Sequence, residues 1–269
     1  MDLGLADKTV ILSGGSKGLG RAIAHEFAQE GAQVFVIARG RDALEATVES
    51  IRAAGGTAIG HRADMFDAAQ IDDAVRACIK AFAAPDIMVS NLDVPDALPN
   101  SAFDIRFDDT TDQDFVRTHE QMVMSVIHFI RAVVPGMKAK RWGRLLTVGS
   151  YAMKEPHAPP LQLLLSNTER GAVVGLFKTL SFELGPYNIT ANIIGTGAFD
   201  TDLATGYFKL YGVTKTEYEE QLRASPCGVP RLGRPEELAA LAVFLSSEPA
   251  AFVNGELVTI TGGAYQGTF

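Results

Sequence analysis

The feature that most constrains the fold is the stretch of residues 8–31, KTVILSGGSKGLGRAIAHEFAQEG. Residues 10–12 have the apolar character of a buried parallel strand. From Arg21 onward, apolar residues recur at helical spacing, and Gly31 is placed to end that helix. Between the two lies a turn that contains Gly14, Gly15, Gly18 and Gly20. The stretch therefore predicts a strand, a glycine turn and a helix.

A turn of this kind suits the pyrophosphate of a dinucleotide. Its backbone N–H groups and the positive end of the helix dipole would converge on one spot. A side chain at Gly14 or Gly18 would block the phosphates or the backbone dihedrals that the turn needs. The next strand, predicted at residues 33–38, comes at the distance of a βαβ unit, which favours nucleotide binding over an ordinary turn.

Length and composition predict a single domain over residues 1–269. The chain is 47% apolar and 21% charged, as in ordinary soluble proteins. No apolar run approaches the roughly 20 residues of a membrane span, and residues 1–7 lack a secretory pattern. A formal net charge of −8 argues against a nucleic-acid partner. Cys78 and Cys227 predict reduced, mostly buried thiols in a cytoplasmic protein.

Strands and helices alternate from end to end of the chain. This alternation predicts an α/β fold, a Rossmann-type doubly wound parallel sheet of about seven strands with helices on both faces. After residues 33–38, strands are predicted at 57–62, 86–89, 144–148, 189–194 and 257–260, and helices at 42–54, 67–82, 116–137, 163–184 and 235–246. Ligands bind outside the carboxyl ends of such strands. The long stretches 92–110 and 198–230 are therefore predicted to wall the substrate pocket, the second as a lid.

The residues after the second strand indicate which nucleotide binds. Units that bind NAD usually carry an acidic residue there to hold the ribose hydroxyls. This chain has Ala38 followed by Arg39, and Lys17 adds a cation within the glycine turn. Two cations and no carboxylate favour a 2′-phosphate, and hence NADP(H). The plain alternative at each position is a solvated surface charge.

These features, with others along nearly the whole chain, resemble the short-chain dehydrogenase/reductase family. The glycine spacing is Gly-x-x-x-Gly-x-Gly, and residues 90–93 (Ser-Asn-Leu-Asp) stand where the family carries Asn-Asn-Ala-Gly. Residues 184–192 resemble the segment that enters the sixth strand. Residues 195–201 resemble the family's Pro-Gly loop, and residues 231–237 with 254–263 resemble its C-terminal signature.

The resemblance also implies nucleotide contacts. Asp64 ends the third strand, where the family's acid holds the adenine amino group, and Thr201 lies in the loop that touches the nicotinamide carboxamide. The turn, the cations and the resemblance together predict a cofactor site of Gly14, Ser16, Lys17, Gly18, Leu19, Gly20, Arg39, Asp64, Met65, Asn91, Arg170, Gly197, Phe199 and Thr201. No metal site is predicted.

The catalytic positions depart from the family pattern. The family uses a tyrosine as proton donor, a lysine that lowers its pKa, a serine on the carbonyl oxygen and an asparagine that supports a water chain. Ser150, at the end of the fifth strand, matches the serine, although a hydroxyl there could also simply cap the backbone. Ser166 stands at the tyrosine position, Arg170 at the lysine position and Met122 at the asparagine position.

Ser166 and Arg170 lie four residues apart, so both can reach one site from one helix face. Arg170 can hold the nicotinamide ribose through its fork of donors, but it cannot release a proton. A serine is a poor general acid near neutral pH. Another group would then supply the proton; the candidates are Tyr151, His157, Asp93 and Glu120, of which His157 titrates closest to neutrality.

Three functions remain open on this evidence. The first is an NADP(H)-dependent oxidoreductase that interconverts a carbonyl and an alcohol on a small apolar molecule, with Ser150, Ser166, Arg170 and His157 as its catalytic residues. The second is a non-redox enzyme, such as a dehydratase, retro-aldolase or isomerase. The third is a catalytically silent nucleotide-binding subunit. The Ser-Asn-x-x-Arg variant is similar to one in proteins labelled 3-oxoacyl-carrier-protein reductases.

The surroundings of the site give two further expectations. The apolar lid residues suggest an apolar substrate or, equally, a subunit contact; they are Phe199, Leu203, Tyr207, Phe208, Leu210 and Tyr211. The family resemblance implies a homo-oligomer, a dimer or a tetramer, formed through the helices predicted at residues 116–137 and 163–184.

Overall fold

One parallel sheet of seven strands forms the centre of the molecule, in the order β3-β2-β1-β4-β5-β6-β7. The computed structural model describes residues 1–91, 106–155, 163–210, 212–224, 228–265 and 267, without the side chains of residues 203, 207, 209 and 210. The strands are β1 (Thr9–Ser13), β2 (Gln33–Ala38), β3 (Thr57–Arg62), β4 (Ile87–Ser90), β5 (Gly143–Ser150), β6 (Ile189–Thr196) and β7 (Leu257–Ile260). The predicted doubly wound parallel sheet is confirmed.

Helices cover both faces of the sheet. The first face is covered by α1 (Gly18–Gln29), α2 (Arg41–Ala53) and α9 (Pro235–Leu245), and α1 packs directly on α9. The second face is covered by α3 (Ala68–Ala81), α5 (Ser125–Lys140) and α6 (Leu164–Leu184). Each helix presents an apolar stripe to the strands, which read as nearly continuous apolar runs because both faces are buried.

Local chemistry explains where these helices begin and end. Gly31 and Gly55 follow α1 and α2 with φ values of +81° and +86°, a left-handed conformation that glycine adopts without steric cost. Asp67 caps α3 by accepting hydrogen bonds from the backbone N–H groups of Ala69 and Gln70. Most predicted bounds therefore agree with the structure within one to three residues.

The helix predicted at residues 116–137 differs from the observed one. A capping box between Thr111 and Asp114 starts α4 (Asp112–His119) four residues earlier than predicted. A π-helical segment, Glu120–Met124, then separates α4 from α5. The polar first turn of α4 shows no apolar periodicity, so periodicity alone could not locate this start.

The continuous helical run Asp112–Lys140 is long and apolar enough to cross a membrane, judged only by length and composition. It is not the unbroken apolar run that the sequence analysis excluded, because it contains charged residues such as Glu120 and Arg131. However, Phe129, Val133 and Met137 on this run are buried against the sheet with α3. A buried core helix of a soluble protein passes the same test, so the finding is weak evidence for a membrane span.

Cys78, on α3, is a free and buried thiol, as predicted. Burial among apolar side chains raises its pKa to about 12, which leaves the thiol protonated and unreactive near neutral pH. Cys227 lies outside the described residues.

The stretch predicted to form the lid contains two helices, α7 (Asp202–Leu210) and α8 (Lys215–Ala224). Phe208 packs with Leu232 and Tyr218 in a small apolar cluster of the lid itself, and Phe199 packs in the main core. These two aromatic rings are therefore used in packing. The other four residues on which the prediction of an apolar substrate rested lie outside the described side chains.

Candidate active site

The glycine turn lies at the point where the strand order reverses, between β1 and β4. In a doubly wound sheet, the crevice at this point is where ligands bind. Asn91 follows β4, and its Nδ2 donates to the carbonyl oxygen of Gly14 at 3.2 Å. The backbone N–H of Asn91 also donates to the carbonyl oxygen of Ser13 at 3.3 Å. Asn91 therefore ties the end of one strand to the turn that follows the other.

Close contacts explain why this turn requires glycine. Gly14 has a φ of +68°, and a Cβ placed on it would lie 1.8 Å from the carbonyl oxygen of Asn91. A Cβ on Gly20 would lie 2.1 Å from the carbonyl oxygen of Gly14. Lys17 precedes α1 as its N-cap residue and makes no side-chain cap bond. The N–H groups of the first turn of α1 are then available to an anion, which is the arrangement predicted for a pyrophosphate.

A cavity of about 430 Å³ opens beside the carboxyl ends of β2 and β3, on the side where Asp64 is predicted to hold the adenosine of a nucleotide. It is lined by Arg39, Arg62, Ala63, Asp64 and Gln70. Asp64 accepts a hydrogen bond from the N–H of Phe66 through Oδ1 at 3.0 Å, which fixes its carboxylate at the cavity. Arg62 was missed by the sequence analysis, although a second cation two residues before Asp64 was visible as a signal.

The remaining predicted nucleotide residues lie around the same crevice. Lys17 is exposed, Leu19 is half-buried, and Met65 is buried behind Asp64. The carbonyl oxygen of Ser16 accepts a hydrogen bond from Thr47 Oγ1 at 3.1 Å, so α2 supports the turn. Their roles toward a nucleotide stay predictions.

The loop after β6 closes the crevice from the other side. The N–H of Gly197 donates to the carbonyl oxygen of Ile260 at 3.0 Å, which ties this loop to β7. Phe199 makes an isolated parallel bridge with Gly233. A Cβ on Gly18 would lie 3.5 Å from Thr201 Cγ2, so this loop lies next to the glycine turn. Residues far apart in the chain thus meet at one site.

Ser150 ends β5 and begins the short 3-10 helix Tyr151–Met153. Its Oγ accepts a hydrogen bond from the N–H of Ala152 at 3.2 Å. This is the capping contact that the sequence analysis held as an alternative to catalysis. The two roles are compatible, because a hydroxyl that accepts one hydrogen bond still has its own proton to donate.

Ser166 is buried in the first turn of α6, and its hydroxyl donates to the carbonyl oxygen of Leu163 at 3.2 Å. The hydroxyl proton is therefore used within the helix. Arg170 lies one turn further along and is half-buried. The helix that carries both residues, α6, packs against the 3-10 helix that follows Ser150.

The predicted proton donors are distributed differently. Tyr151 follows Ser150 in the 3-10 helix and is half-buried, whereas Glu120 is exposed at the start of the π-helical segment. His157 and Asp93 lie outside the described residues. Met122, at the family's asparagine position, lies within the π-helical segment Glu120–Met124. Such segments are frequent at functional sites because they change the local pattern of backbone hydrogen bonds.

A hydrogen bond between a half-exposed histidine and a buried glutamate, next to Arg170 in the chain, was not predicted. His119 Nδ1 lies 2.8 Å from Glu169 Oε2, and the side chain of Glu169 is 7% exposed against 48% for His119. Glu169 belongs to the same buried stripe of α6 as Ser166. The pair joins α6 to α4. No apolar periodicity signals a buried glutamate, so only the packing of the two helices reveals it.

We expect His119→Ala to lower the free energy of unfolding by about 1–3 kcal/mol, because the Glu169 carboxylate would stay buried without its hydrogen-bond partner. Adding Glu169→Gln should recover part of this loss, since no charge then remains buried. Urea unfolding measures both effects. Arg117→Ala, at an exposed position of α4, is the control, with an expected change within about 0.5 kcal/mol. Equal losses for the two alanine variants would contradict the role assigned to the pair.

The family model described as Enoyl-(Acyl carrier protein) reductase matches residues 14–265, from the glycine turn to the C-terminal segment. The chain belongs to the short-chain dehydrogenase/reductase family. This confirms the resemblance inferred from the glycine spacing. It also explains why the glycine turn, Asn91 and the loop after β6 meet at one crevice.

Three proteins illustrate the likeness of this short-chain dehydrogenase/reductase to others. The 7α-hydroxysteroid dehydrogenase of Escherichia coli K12 is 31% identical over 266 residues, which are 98% of this chain and 97% of that protein. An L-sorbose reductase from Gluconobacter frateurii, complexed with NADPH and L-sorbose, has a TM-score of 0.86 at 28% identity, over 98% of both chains. A 7α-hydroxysteroid dehydrogenase complexed with NADH and 7-oxo glycochenodeoxycholic acid has a TM-score of 0.81 at 29% identity, over 98% of this chain and 97% of the other.

The names of these relatives indicate an oxidoreductase that acts on a carbonyl or an alcohol. One of the two solved relatives contains NADPH and the other NADH. Family membership therefore does not choose between the nucleotides. That choice depends on the residues that this short-chain dehydrogenase/reductase places at the adenosine end of its crevice.

Proposed function

We propose that the protein is an NADP(H)-dependent oxidoreductase that interconverts a carbonyl and an alcohol on a small molecule, with a non-standard proton relay. The observation that carries the nucleotide assignment is the cavity beyond β2 and β3. It has Arg39 and Arg62 in its wall, and Ala38 stands where NAD-binding units carry an acidic residue. Guanidinium groups bind phosphate oxygens through charge-assisted hydrogen bonds, and a ribose hydroxyl offers no such charge.

The predicted catalytic residues have the chemistry that the reacting centre needs. A bound nicotinamide nucleotide supplies or accepts the hydride. Ser150 donates its hydroxyl proton as a hydrogen bond to the carbonyl oxygen and so stabilises the negative charge that develops there. Arg170 holds the nicotinamide ribose through its fork of donors and stays charged throughout.

The proton that completes the alcohol comes from a group other than Ser166. The hydroxyl of Ser166 is buried and already donates to Leu163, and an aliphatic hydroxyl is a weak acid near neutral pH. Ser166 therefore supports the start of α6. We keep His157 and Tyr151 as the proposed donors, because a histidine titrates near neutral pH and Tyr151 directly follows Ser150.

The activity is tested by incubating the protein with NADPH and a panel of carbonyl compounds while the absorbance of the reduced nicotinamide is followed. The panel contains an oxo-bile acid, a ketohexose, an apolar ketone and an aldehyde. Oxidation of NADPH that depends on the carbonyl compound supports the proposal. Loss of a substrate at constant cofactor redox state would favour a dehydratase, retro-aldolase or isomerase. Nucleotide binding without turnover of any compound would favour a silent nucleotide-binding subunit.

Charge reversal at Arg39 tests the choice of nucleotide. We expect Arg39→Asp to weaken NADP⁺ binding by about 100-fold, because a carboxylate would then face the 2′-phosphate. Binding of NAD⁺ should stay the same or improve, since a carboxylate accepts hydrogen bonds from ribose hydroxyls. Calorimetric titration with both nucleotides measures the effect. If the wild-type protein binds NAD⁺ as tightly as NADP⁺, the assignment is wrong.

Assembly and location complete the proposal. We propose a homo-oligomer, a dimer or a tetramer, in the cytoplasm. Phe182 on α6 and Phe252 before β7 are large apolar side chains that are 76% and 102% exposed. Contact with a second copy of the chain would remove such surfaces from water. Light scattering coupled to gel filtration measures the mass of the assembly.

A further inference from the structure

Arg62, the last residue of β3, is a second arginine in the wall of the adenosine-end cavity. Parallel pairing places Arg62 opposite Ala38, the residue that precedes Arg39. Both arginines therefore lie at the ends of neighbouring strands, at the same edge of the sheet. The roles predicted for the glycine turn and for Asp64 do not require a positively charged side chain at this position. The position of Arg62 therefore needs its own explanation.

The side chain of Arg62 is held in place by one bond and keeps most of its donors. Its Nε donates to the carbonyl oxygen of Arg39 at 2.9 Å. A guanidinium has five N–H donors, so four stay available on the two terminal nitrogens. Within the part of the chain that the structure describes, no carboxylate forms an ion pair with Arg62. The contact also holds the backbone of Arg39 at the rim of the cavity.

The charges around the cavity are unbalanced. Arg39 and Arg62 line it together with one carboxylate, Asp64. The backbone N–H of Phe66 donates a hydrogen bond to Oδ1 of Asp64 and so orients this carboxylate. This excess of positive charge occurs in a chain whose formal net charge is −8. Arg62 also lines a neighbouring cavity of about 390 Å³ between α2 and β3, where Glu45 and Glu49 accompany the arginines, whereas Arg39 lines only the first of the two cavities.

We propose that Arg62 is a specificity-determining residue for the 2′-phosphate of the nucleotide, acting with Arg39. This inference rests on the proposed NADP(H) function. The guanidinium of Arg62 contacts the phosphate oxygens, and its Nε fixes the Arg39 backbone so that the two side chains approach the phosphate together. A 2′-phosphate carries close to two negative charges at neutral pH, which two guanidinium groups match.

The test compares binding of NADP⁺, NAD⁺ and the fragment 2′,5′-ADP by calorimetry in wild type and Arg62→Gln. We expect Arg62→Gln to weaken NADP⁺ and 2′,5′-ADP about 10-fold or more and to change NAD⁺ by less than about 2-fold. The loss should be largest at low salt, because screening weakens exposed charge pairs. Arg62→Lys keeps the charge but not the fork of donors, so it should retain part of the preference.

Arg52→Gln is the matched control. Arg52 also donates through Nε to a backbone carbonyl oxygen, that of Ala58, at 2.9 Å, but unlike Arg62 it lines only the neighbouring cavity and not the cavity that contains Arg39. We expect this variant to bind all three ligands as the wild type does. Thermal unfolding of each variant in the absence of nucleotide checks that the variant is folded. If Arg62→Gln is unstable, the binding comparison is made with Arg62→Lys instead.

The possible results separate this inference from the function on which it rests. If the wild type shows no preference for NADP⁺, the proposed nucleotide is wrong and the role of Arg62 is overturned with it. If the wild type prefers NADP⁺ and Arg39→Asp removes the preference, but Arg62→Gln leaves it unchanged, the nucleotide assignment stands and only this inference is wrong. A similar loss for NAD⁺ and NADP⁺ in Arg62→Gln would also overturn it.

Discussion

Gly14→Ala is expected to abolish nucleotide binding and to lower the free energy of unfolding by about 2–5 kcal/mol. The added Cβ would lie 1.8 Å from the carbonyl oxygen of Asn91, so the backbone of one of the two residues must move. Overpacking of this kind costs roughly 1–3 kcal/mol, and alanine at a φ of +68° costs roughly 1–2 kcal/mol more. Urea unfolding measures the first effect, and calorimetric titration with NADP⁺ measures the second.

A second glycine supplies the control for this experiment. Gly175 lies within α6, and a Cβ there would meet nothing within 4 Å. Gly175→Ala should leave nucleotide affinity unchanged and raise stability by about 0.5–1 kcal/mol, because alanine is the better helix former. A Gly14→Ala variant with wild-type stability and wild-type affinity would show that the turn is not packed as described.

Ser150→Ala is expected to lower kcat by about 100- to 1000-fold while nucleotide affinity stays within about 2-fold of the wild type. The loss would come from removing one hydrogen-bond donor to the oxygen on which charge develops in the transition state. The variant also loses the cap on the N–H of Ala152, which costs about 0.5–2 kcal/mol of stability. Steady-state kinetics with NADPH and the best carbonyl substrate measures the first effect.

Thr196→Val separates catalysis from structure at the same edge of the sheet. Thr196 pairs with Ser150 in the register of β5 and β6, and its hydroxyl donates to the carbonyl oxygen of Gly149 at 2.8 Å. The valine variant should lose about 0.5–1.5 kcal/mol of stability and keep most of its kcat. If Ser150→Ala shows the same behaviour, Ser150 is a capping residue and not a catalytic one.

The strands and helices, whose apolar residues recur at a regular spacing, could be predicted from the sequence. Apolar runs separated by amphipathic helices gave the sheet, its parallel direction and most helix bounds, because both depend on burial patterns with a fixed period. Gly31 follows the end of α1 as predicted, because glycine is the residue type that adopts a left-handed backbone conformation most easily. The glycine turn was located for the same reason.

Features that depend on contacts between distant segments could not be predicted in this way. The side chain of Arg62 is oriented by a hydrogen bond to the backbone of Arg39. The buried carboxyl group of Glu169 finds its hydrogen-bond partner, His119, on another helix. The π-helical segment Glu120–Met124 has no characteristic spacing of apolar residues from which it could be predicted. The hydrogen bond of Ser166 to Leu163 likewise follows from the path of the chain into α6, which no residue type specifies.

Thr201 lies next to Gly18, and this proximity links two parts of the predicted site. Thr201 immediately precedes α7, the first helix of the lid, while Gly18 is the first residue of α1. The start of the predicted lid therefore lies beside the glycine turn. If a dinucleotide binds at this turn as proposed, it would lie next to the start of α7, so nucleotide binding and the position of the lid would be coupled.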